Sequence, residues 1–225
     1  MTDSPPTFKA GLISLPALKR AKLVRRVFFN RDPREVSLEL LGKIVVRREG
    51  RRIRAGRIVE VEAYLGTDDL AAHAAAGRTE RNAVIFGPPG HAYVYFIYGV
   101  HYCLNISCMP EGEAGCVLVR ALEPVAGIPQ MAKARGLDDF KVASVTNLRK
   151  IASGPGRLCQ ALGSTRPRDN GKDMLSAKSD LQVVDDGFPF GTVLVTPRIG
   201  ITKSADMPLR YVLAGNPFVS TKVRL

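Results

Sequence analysis

Glu60, Glu62 and Tyr64 occupy alternate positions in the run Arg57-Ile-Val-Glu-Val-Glu-Ala-Tyr-Leu65. Side chains of a strand alternate between its two faces. This spacing therefore predicts one face bearing Ile58, Glu60, Glu62 and Tyr64, and a core face bearing Val59, Val61, Ala63 and Leu65. Paired carboxylates can accept a proton, activate a water molecule or stabilise a developing cation. A solvated face of an amphipathic strand gives the same pattern. The charge of the chain favours chemistry: it carries 33 Lys and Arg against 21 Asp and Glu, a net +12, so an acidic strip stands apart from its surroundings.

A second run, Tyr93-Val-Tyr-Phe-Ile-Tyr-Gly-Val-His-Tyr102, puts Tyr93 and Tyr95 on one face of a strand. Gly99 permits positive φ, so a hairpin is expected to turn there with Tyr98 at or near its tip. Rings beside a basic surface suit base stacking, and a wedge at a hairpin tip suits insertion between base pairs. Tyrosines packed within a sheet give the same sequence, an alternative that fits Tyr93 better than Tyr98. The histidines are His73, His91 and His101. His73, in Leu70-Ala-Ala-His-Ala-Ala-Ala76, suits a cap, a core position or a metal site with Glu62, but no H-E-x-x-H pairing supports the last. Neither G-x-x-x-x-G-K-[ST] nor G-x-G-x-x-G occurs, so nucleotide cofactors lack support. Gly154-Pro-Gly-Arg157 before a helix is at most a weak phosphate site. No nucleophile elbow accompanies a Ser-His-Asp set.

These residues need a scaffold. At 225 residues, 45% of them hydrophobic, the chain suits one large domain or two small ones with a real core. No apolar run approaches the roughly 18 residues of a membrane span. The stretch Ala10 to Leu18 is broken by Pro16 and reads as part of a flexible arm, not a signal peptide. Met1 to Thr7 reads as disordered. The expected division is a flexible basic arm over 1–25 and a single catalytic domain over 26–225. Cys103, Cys108, Cys116 and Cys159 show no C-x-x-C spacing, which argues for buried reduced thiols over zinc. Residues 1–60 hold 15 Lys/Arg and 6 Asp/Glu, nine of the twelve net positive charges. With a pI near 9.9, this suggests a polyanionic partner.

Asp32-Pro33-x-Glu35 has the form of a helix start, with Val36, Leu40 and Leu41 as the buried stripe and Gly42 as the stop. Strands are expected at about 43–48, 52–55 and 57–65, with arginines around a Glu49-Gly50 turn. Residues 66–92 read as a long functional loop with a short helix from Asp68 to Ala75. Strands are expected within 93–106 and 115–122, then helices at 127–135, 142–151 and after Gly154-Pro-Gly156, then strands at 181–185, 191–197 and 209–213. Neighbouring strands with segregated helices make an α+β domain. It is expected to be a curved, mostly antiparallel, roll-like sheet with flanking helices and a protruding hairpin.

Taken together, Gly56-Arg-Ile-Val-Glu-Val-Glu-Ala-Tyr-Leu-Gly66, Ala72-His73, Gly77-Arg78, Arg81-Asn82, Tyr93-Val-Tyr-Phe-Ile-Tyr-Gly99, Leu104-Asn105-Ile106 and Val119-Arg-Ala-Leu-Glu-Pro124 closely resemble the alkyladenine (3-methyladenine) DNA glycosylases. Ser153-Gly-Pro-Gly-Arg-Leu-Cys-Gln-Ala-Leu162, Pro208-Leu-Arg-Tyr211 and Gly215-Asn-Pro-Phe-Val-Ser220 extend the match, in the same order, over about residues 36–220. The resemblance implies a monofunctional base-excision repair enzyme, without metal or cofactor, acting on duplex DNA with damaged purines. It implies a monomer, at the nucleoid of a bacterial cytoplasm or in a eukaryotic nucleus. It places the general base on Glu62, which the residues alone do not distinguish from Glu60. It places the base-pocket walls on Tyr64 and Tyr95, the base edge on His73 and the intercalating residue on Tyr98. Asn105 takes the position that crowds the amine of ordinary guanine, and Arg120 the position that orients base and water. Cys108-Met-Pro-Glu-Gly-Glu-Ala-Gly115 departs from some relatives in loop length. A non-catalytic nucleic-acid-binding module is the alternative, and a metal-dependent nuclease a weaker one.

Overall fold

Why the strand patterns assemble as they do is clearest in the pairing. The computed structural model describes Leu18, residues 20–137, residues 144–221 and Val223; the disorder expected for Met1 to Thr7 lies outside them. The strands are β1 (Lys22–Leu23), β2 (Ile44–Glu49), β3 (Arg52–Tyr64), β4 (Ala92–Ile97), β5 (His101–Ser107), β6 (Cys116–Ala126), β7 (Leu181–Asp185), β8 (Val193–Thr196) and β9 (Arg210–Leu213). All are joined antiparallel in one sheet of order β1-β7-β2-β3-β6-β5-β4, with β9 on β3 and β8 on β9. The sheet is strongly curled, a half-barrel, and the expected α+β class holds.

β3 is the axis. Its first half pairs with β2 and residues Glu60–Glu62 pair with β9 on the same edge, while β6 runs along its other edge. The separate strands expected over 52–55 and 57–65 are thus one element. Its register against β6 shifts near Gly56 and on both sides of Glu60. Such bulges break strict alternation, and the face assignment changes accordingly. Ile58, expected beside the carboxylates, joins the core with Val59, Val61 and Ala63.

The α-helices are α1 (Arg26–Phe29), α2 (Pro33–Leu40), α3 (Ile128–Ala134), α4 (Val145–Ala152), α5 (Pro155–Leu162) and α6 (Arg166–Asp169). In α2 the Asp32 carboxylate accepts from the Arg34 N–H at 2.8 Å, Pro33 fills the first turn, and Val36 and Leu40 are buried. α2, α4 and α5 pack on β3, β5 and β6 and cover the main core, which includes Val117, Val119, Leu104, Ile106 and Val94.

The other face of the sheet carries a smaller cluster of Ala72, Ala74, Ile85, Tyr93 and Cys116, with Tyr64 and Tyr95 packed against it. Segment 66–91 covers this face. The helix expected over Asp68 to Ala75 is instead a single 3-10 turn, His73–Ala76, followed by another at Ala83–Phe86. Asn82 holds the segment, donating to the carbonyls of His73 (2.9 Å) and Gly77 (2.8 Å). The end of the arm expected to be flexible is paired: Lys22–Leu23 adds to β7, and Leu18 is buried against Ile44 and Val46.

Candidate active site

One row of directly paired residues crosses four strands: Glu62 on β3, Leu118 on β6, Asn105 on β5 and Tyr93 on β4. Paired residues share a face, so this row and its neighbours bring the expected site residues together. Tyr64 follows Glu62 on β3, and Tyr95 follows Tyr93 on β4.

Both carboxylates are fully buried, so the solvated-face alternative fails. Their settings differ. On Glu60, Oε1 accepts from Arg210 Nε (2.7 Å), Ser220 Oγ (2.8 Å) and Arg120 Nε (3.3 Å), and Oε2 accepts from the Ser220 N–H. On Glu62, Oε1 accepts from the Ile199 N–H at 2.7 Å, while Oε2 accepts from the Tyr64 hydroxyl (3.1 Å) and Arg120 Nη1 (3.2 Å). Arg120 therefore bridges the two acids. Burial raises the Glu62 pKa above the ordinary glutamate value, even though the Arg120 charge, the Ile199 N–H and the Tyr64 hydroxyl pull it down. Burial, and then the neighbouring Glu62 charge, hold the Tyr64 phenol protonated far above its usual range. Tyr64 is therefore a donor to Glu62.

The aromatic side of the site is a ring cluster. His73 meets Tyr95 edge-on with centroids 4.5 Å apart, and its Nδ1 shares a 2.7 Å hydrogen bond with the Tyr93 hydroxyl. Part of the imidazole is exposed. Burial of the rest pushes its pKa below the usual histidine value, and the Arg81 charge acts in the same direction. The neutral form of the ring is thereby favoured. Burial pushes the Tyr93 phenol up to about 12 and the Tyr95 phenol well up too. Asn105 is buried, its Nδ2 donating to the Tyr93 carbonyl at 3.1 Å.

Tyr98 stands apart from these groups. The β4–β5 hairpin turns through Tyr98 (φ 53°) and Gly99 (φ 68°), with the Val100 N–H donating to the Ile97 carbonyl. Positive φ at both central residues is the type I′ hairpin turn. It suits glycine but is uncommon for tyrosine. Tyr98 is 79% exposed, flanked by exposed Phe96 and Val100. The hairpin beside its turn is braced against α5: a Cβ at Gly156 would lie 2.9 Å from the His101 ring.

Several contributors were not legible locally. Tyr93, given to the core as readily as to the site, does both, because its buried ring carries the hydroxyl that holds His73. Arg210 and Ser220 lie within motifs of the family resemblance, yet nothing local assigned them to Glu60. The Ile199 contact is a backbone N–H and leaves no residue-type signal.

The basic N-terminal third is largely engaged internally. Arg26, Arg31, Arg34, Lys43, Arg47, Arg54 and Arg57 each pair with a carboxylate. Arg51, Arg52, Arg78, Arg81 and Arg157 are exposed. A cleft of about 900 Å³ beside α1 and β1, lined in part by Arg20, Lys22, Arg25 and Phe28, contains none of the site residues. Among the described residues no group of three or more His, Cys, Asp and Glu side chains is disposed to hold a metal ion. All four cysteines are free and buried.

The family model described as Methylpurine-DNA glycosylase (MPG) matches residues 27–217. The chain belongs to this family. A protein of Koribacter versatilis (strain Ellin345), provisionally named a 3-methyladenine DNA glycosylase, is 68% identical over 197 residues, 88% of this chain and 92% of the relative. Relatives with the same provisional name in Burkholderia cenocepacia (strain HI2424) and Methanoculleus marisnigri (strain ATCC 35101 / DSM 1498 / JR1) are each 47% identical. The first covers 89% of this chain and 92% of its own length, the second 87% and 97%. Family membership makes DNA repair glycosylase the coarse assignment and DNA the substrate.

Proposed function

We propose that this protein releases alkylated or deaminated purines, 3-methyladenine among them, from duplex DNA by hydrolysing the N-glycosidic bond of a base flipped out of the helix. Glu62 is the general base. A water oxygen attacks C1′ of the deoxyribose and Glu62 accepts the proton that the water loses. The bond from C1′ to the base nitrogen breaks, the purine leaves with its electron pair, and an abasic site remains. The sugar passes through an oxocarbenium-like state that a nearby carboxylate stabilises. A cationic alkylated purine is already a good leaving group, so one carboxylate suffices where ordinary glycosidases use two.

The observation that carries this reading is the contrast between the two acids. Glu60 is held by two arginines and by both the hydroxyl and the N–H of Ser220. Glu62 has a raised pKa and accepts from the hydroxyl of Tyr64, whose ring packs on the cluster that holds Tyr93 and Tyr95. A carboxylate with its affinity for protons raised is the better base.

Arg120, bridging both acids, keeps Glu62 ionised and orients water and base. Tyr64, Tyr95 and His73 bound the base, their π-faces favouring an electron-poor ring. Asn105 crowds the exocyclic amine of ordinary guanine. Tyr98 fills the gap left by the extruded nucleotide, and flipping is cheapest for bases that pair weakly. The protein acts as a monomer and leaves the strand uncut.

The test is a base-release assay over duplexes bearing methylated purines, hypoxanthine or etheno adducts, with identification of the free base. The expected result is release of an intact alkylated purine, with strand breaks only after alkaline treatment. DNA binding without base release from any substrate would favour a non-catalytic module.

A further inference from the structure

Arg198 and Asp69 form a fully buried ion pair that has no part in the chemistry described so far. Arg198 Nη1 donates to Asp69 Oδ2 (2.5 Å) and to the Ala63 carbonyl (3.0 Å). Its Nη2 donates to Asp69 Oδ1 (2.8 Å) and to the Ser204 carbonyl (3.4 Å). Asp69 also accepts the N–H groups of Leu65 and Ala71.

Three connections run from this pair to the site. The residue after Arg198 is Ile199, whose N–H donates to Glu62 Oε1 at 2.7 Å. The Arg198 guanidinium carbon lies over the Tyr64 ring, 4.7 Å from its centroid. Asp69 opens the turn that leads to His73, its carbonyl accepting the Ala72 N–H at 2.8 Å. The ion pair thus touches the segments carrying the base, one pocket wall and the histidine, although its two members lie 129 residues apart.

Stability alone is a poor reason for such a pair. Desolvating two charges offsets most of their attraction, and apolar replacements are often neutral or stabilising. Here Arg198 Nε is buried with no hydrogen-bond partner, which adds to the cost. We propose that the Arg198–Asp69 pair is a positioning unit for base release: it sets the Ile199 N–H on Glu62, backs the ring of Tyr64 and fixes the turn bearing His73. This rests on Glu62 being the general base.

The groups facing Glu62 are Glu60 and Tyr64 on its own strand, Arg120 on β6, Cys103 on β5, Arg210 opposite it on β9, and Arg198 with the Ile199 N–H. Of these, the Ile199 N–H is placed by the pair, and it favours the ionised carboxylate. Protonated Glu62 cannot take a proton from water, so activity falls as pH drops through its pKa. Loss of that N–H raises the pKa and moves the fall to higher pH.

The double substitution Asp69→Leu with Arg198→Met removes both charges without stranding either. Single-turnover base release is measured against pH in the full chain, with lesion-duplex affinity and melting temperature on the same samples. The expected variant melts near the wild-type temperature and releases base about 10²-fold more slowly. Its acid limb is expected to lie about one pH unit higher. Arg198→Lys keeps the charge and loses the two-pronged geometry, so a smaller shift in the same direction is expected. A folded double variant with the wild-type rate and pH profile overturns the proposal. If the double variant does not fold, an Arg198→Lys enzyme with an unmoved acid limb overturns it. A wild-type protein that releases no base overturns the functional reading and this inference together.

Discussion

Around Glu60, the donors come from β6, β9 and the C-terminal segment at Ser220, and they take up both oxygens of a fully buried carboxylate. Around Glu62, two residues further along β3, one oxygen takes a backbone N–H and the other shares a tyrosine and an arginine. Each environment buries the same functional group, and at Glu62 that burial leaves the pKa raised. The first is a joint, tying two strands and the C-terminal segment to one charge. The second, in the proposed function, is the reagent, and burial works against its charge. Spacing in the sequence treats the two residues alike; the donors that separate them arrive from β9 and the segments flanking it.

The sharpest way to break this comparison is by stability. Glu60→Gln leaves Arg210 and Arg120 buried beside an uncharged amide. Loss of one partner from a buried charge network costs about 3–5 kcal/mol, which lowers the melting temperature by on the order of 10 °C in a domain of this size. Glu62→Gln is expected to melt at or above the wild-type temperature at neutral pH. Its folded-state pKa lies above the unfolded value, so the ionised form disfavours folding once the pH exceeds the folded pKa, and a neutral isostere removes that cost. Calorimetry at pH 7 checks both, and equal losses in the two variants would erase the distinction.

The hairpin tip sharpens the comparison from outside. Tyr98 touches neither acid and is exposed, so Tyr98→Ala should leave the melting temperature unchanged. Excision from duplex DNA should fall by roughly tenfold or more, with little loss on single-stranded or mismatched substrates, because restacking costs a few kcal/mol only in a duplex. A core tyrosine would instead lose about 3 kcal/mol of stability on truncation.

The smallest expected effect separates the pH dependence of activity from that of stability. Asp69, Asp169 and Asp186 are desolvated, which raises their pKa values. The arginines paired with them, helped by further hydrogen bonds, lower them by more, to below the aspartate norm. Their stabilisation is present above the unfolded pKa of about 4 and is lost as pH falls through the lower folded values. The Glu62 limb of the proposed activity is displaced the opposite way, above the ordinary glutamate value. Activity should therefore fall before the fold does as the solution is acidified, which parallel rate and circular dichroism titrations will show.

Strand positions from Ile44 to Leu213 were legible because antiparallel strands with one covered face carry their pattern locally, and the helix opened by Asp32-Pro33 because its cap is written in adjacent residues. The union of 52–64 into one strand was not, since the bulges at Gly56 and Glu60 depend on the register of β6. α6 was missed because Arg166-Pro-Arg-Asp169 has no apolar stripe. Its Asp169 is instead held by Arg47, Ser164 and Lys172. Basic residues crowded near the N-terminus suggested a polyanion there, but the acid partners of Arg26, Lys43, Arg47 and Arg57 lie far along the chain, from Asp169 to Asp186. At the site, alternation grouped Glu60, Glu62 and Tyr64. Arg198, Ile199 and Ser220, more than a hundred residues away, left no local trace.

The most direct test of the central claim is single-turnover base release by Glu62→Gln and Glu60→Gln, each with enzyme in excess over a lesion duplex and at a temperature where both are folded. The account predicts that Glu62→Gln binds the duplex normally and releases base at least about 10²-fold more slowly than wild type, while folded Glu60→Gln retains most of the rate. Near-normal release by Glu62→Gln, with release abolished in Glu60→Gln, would contradict it.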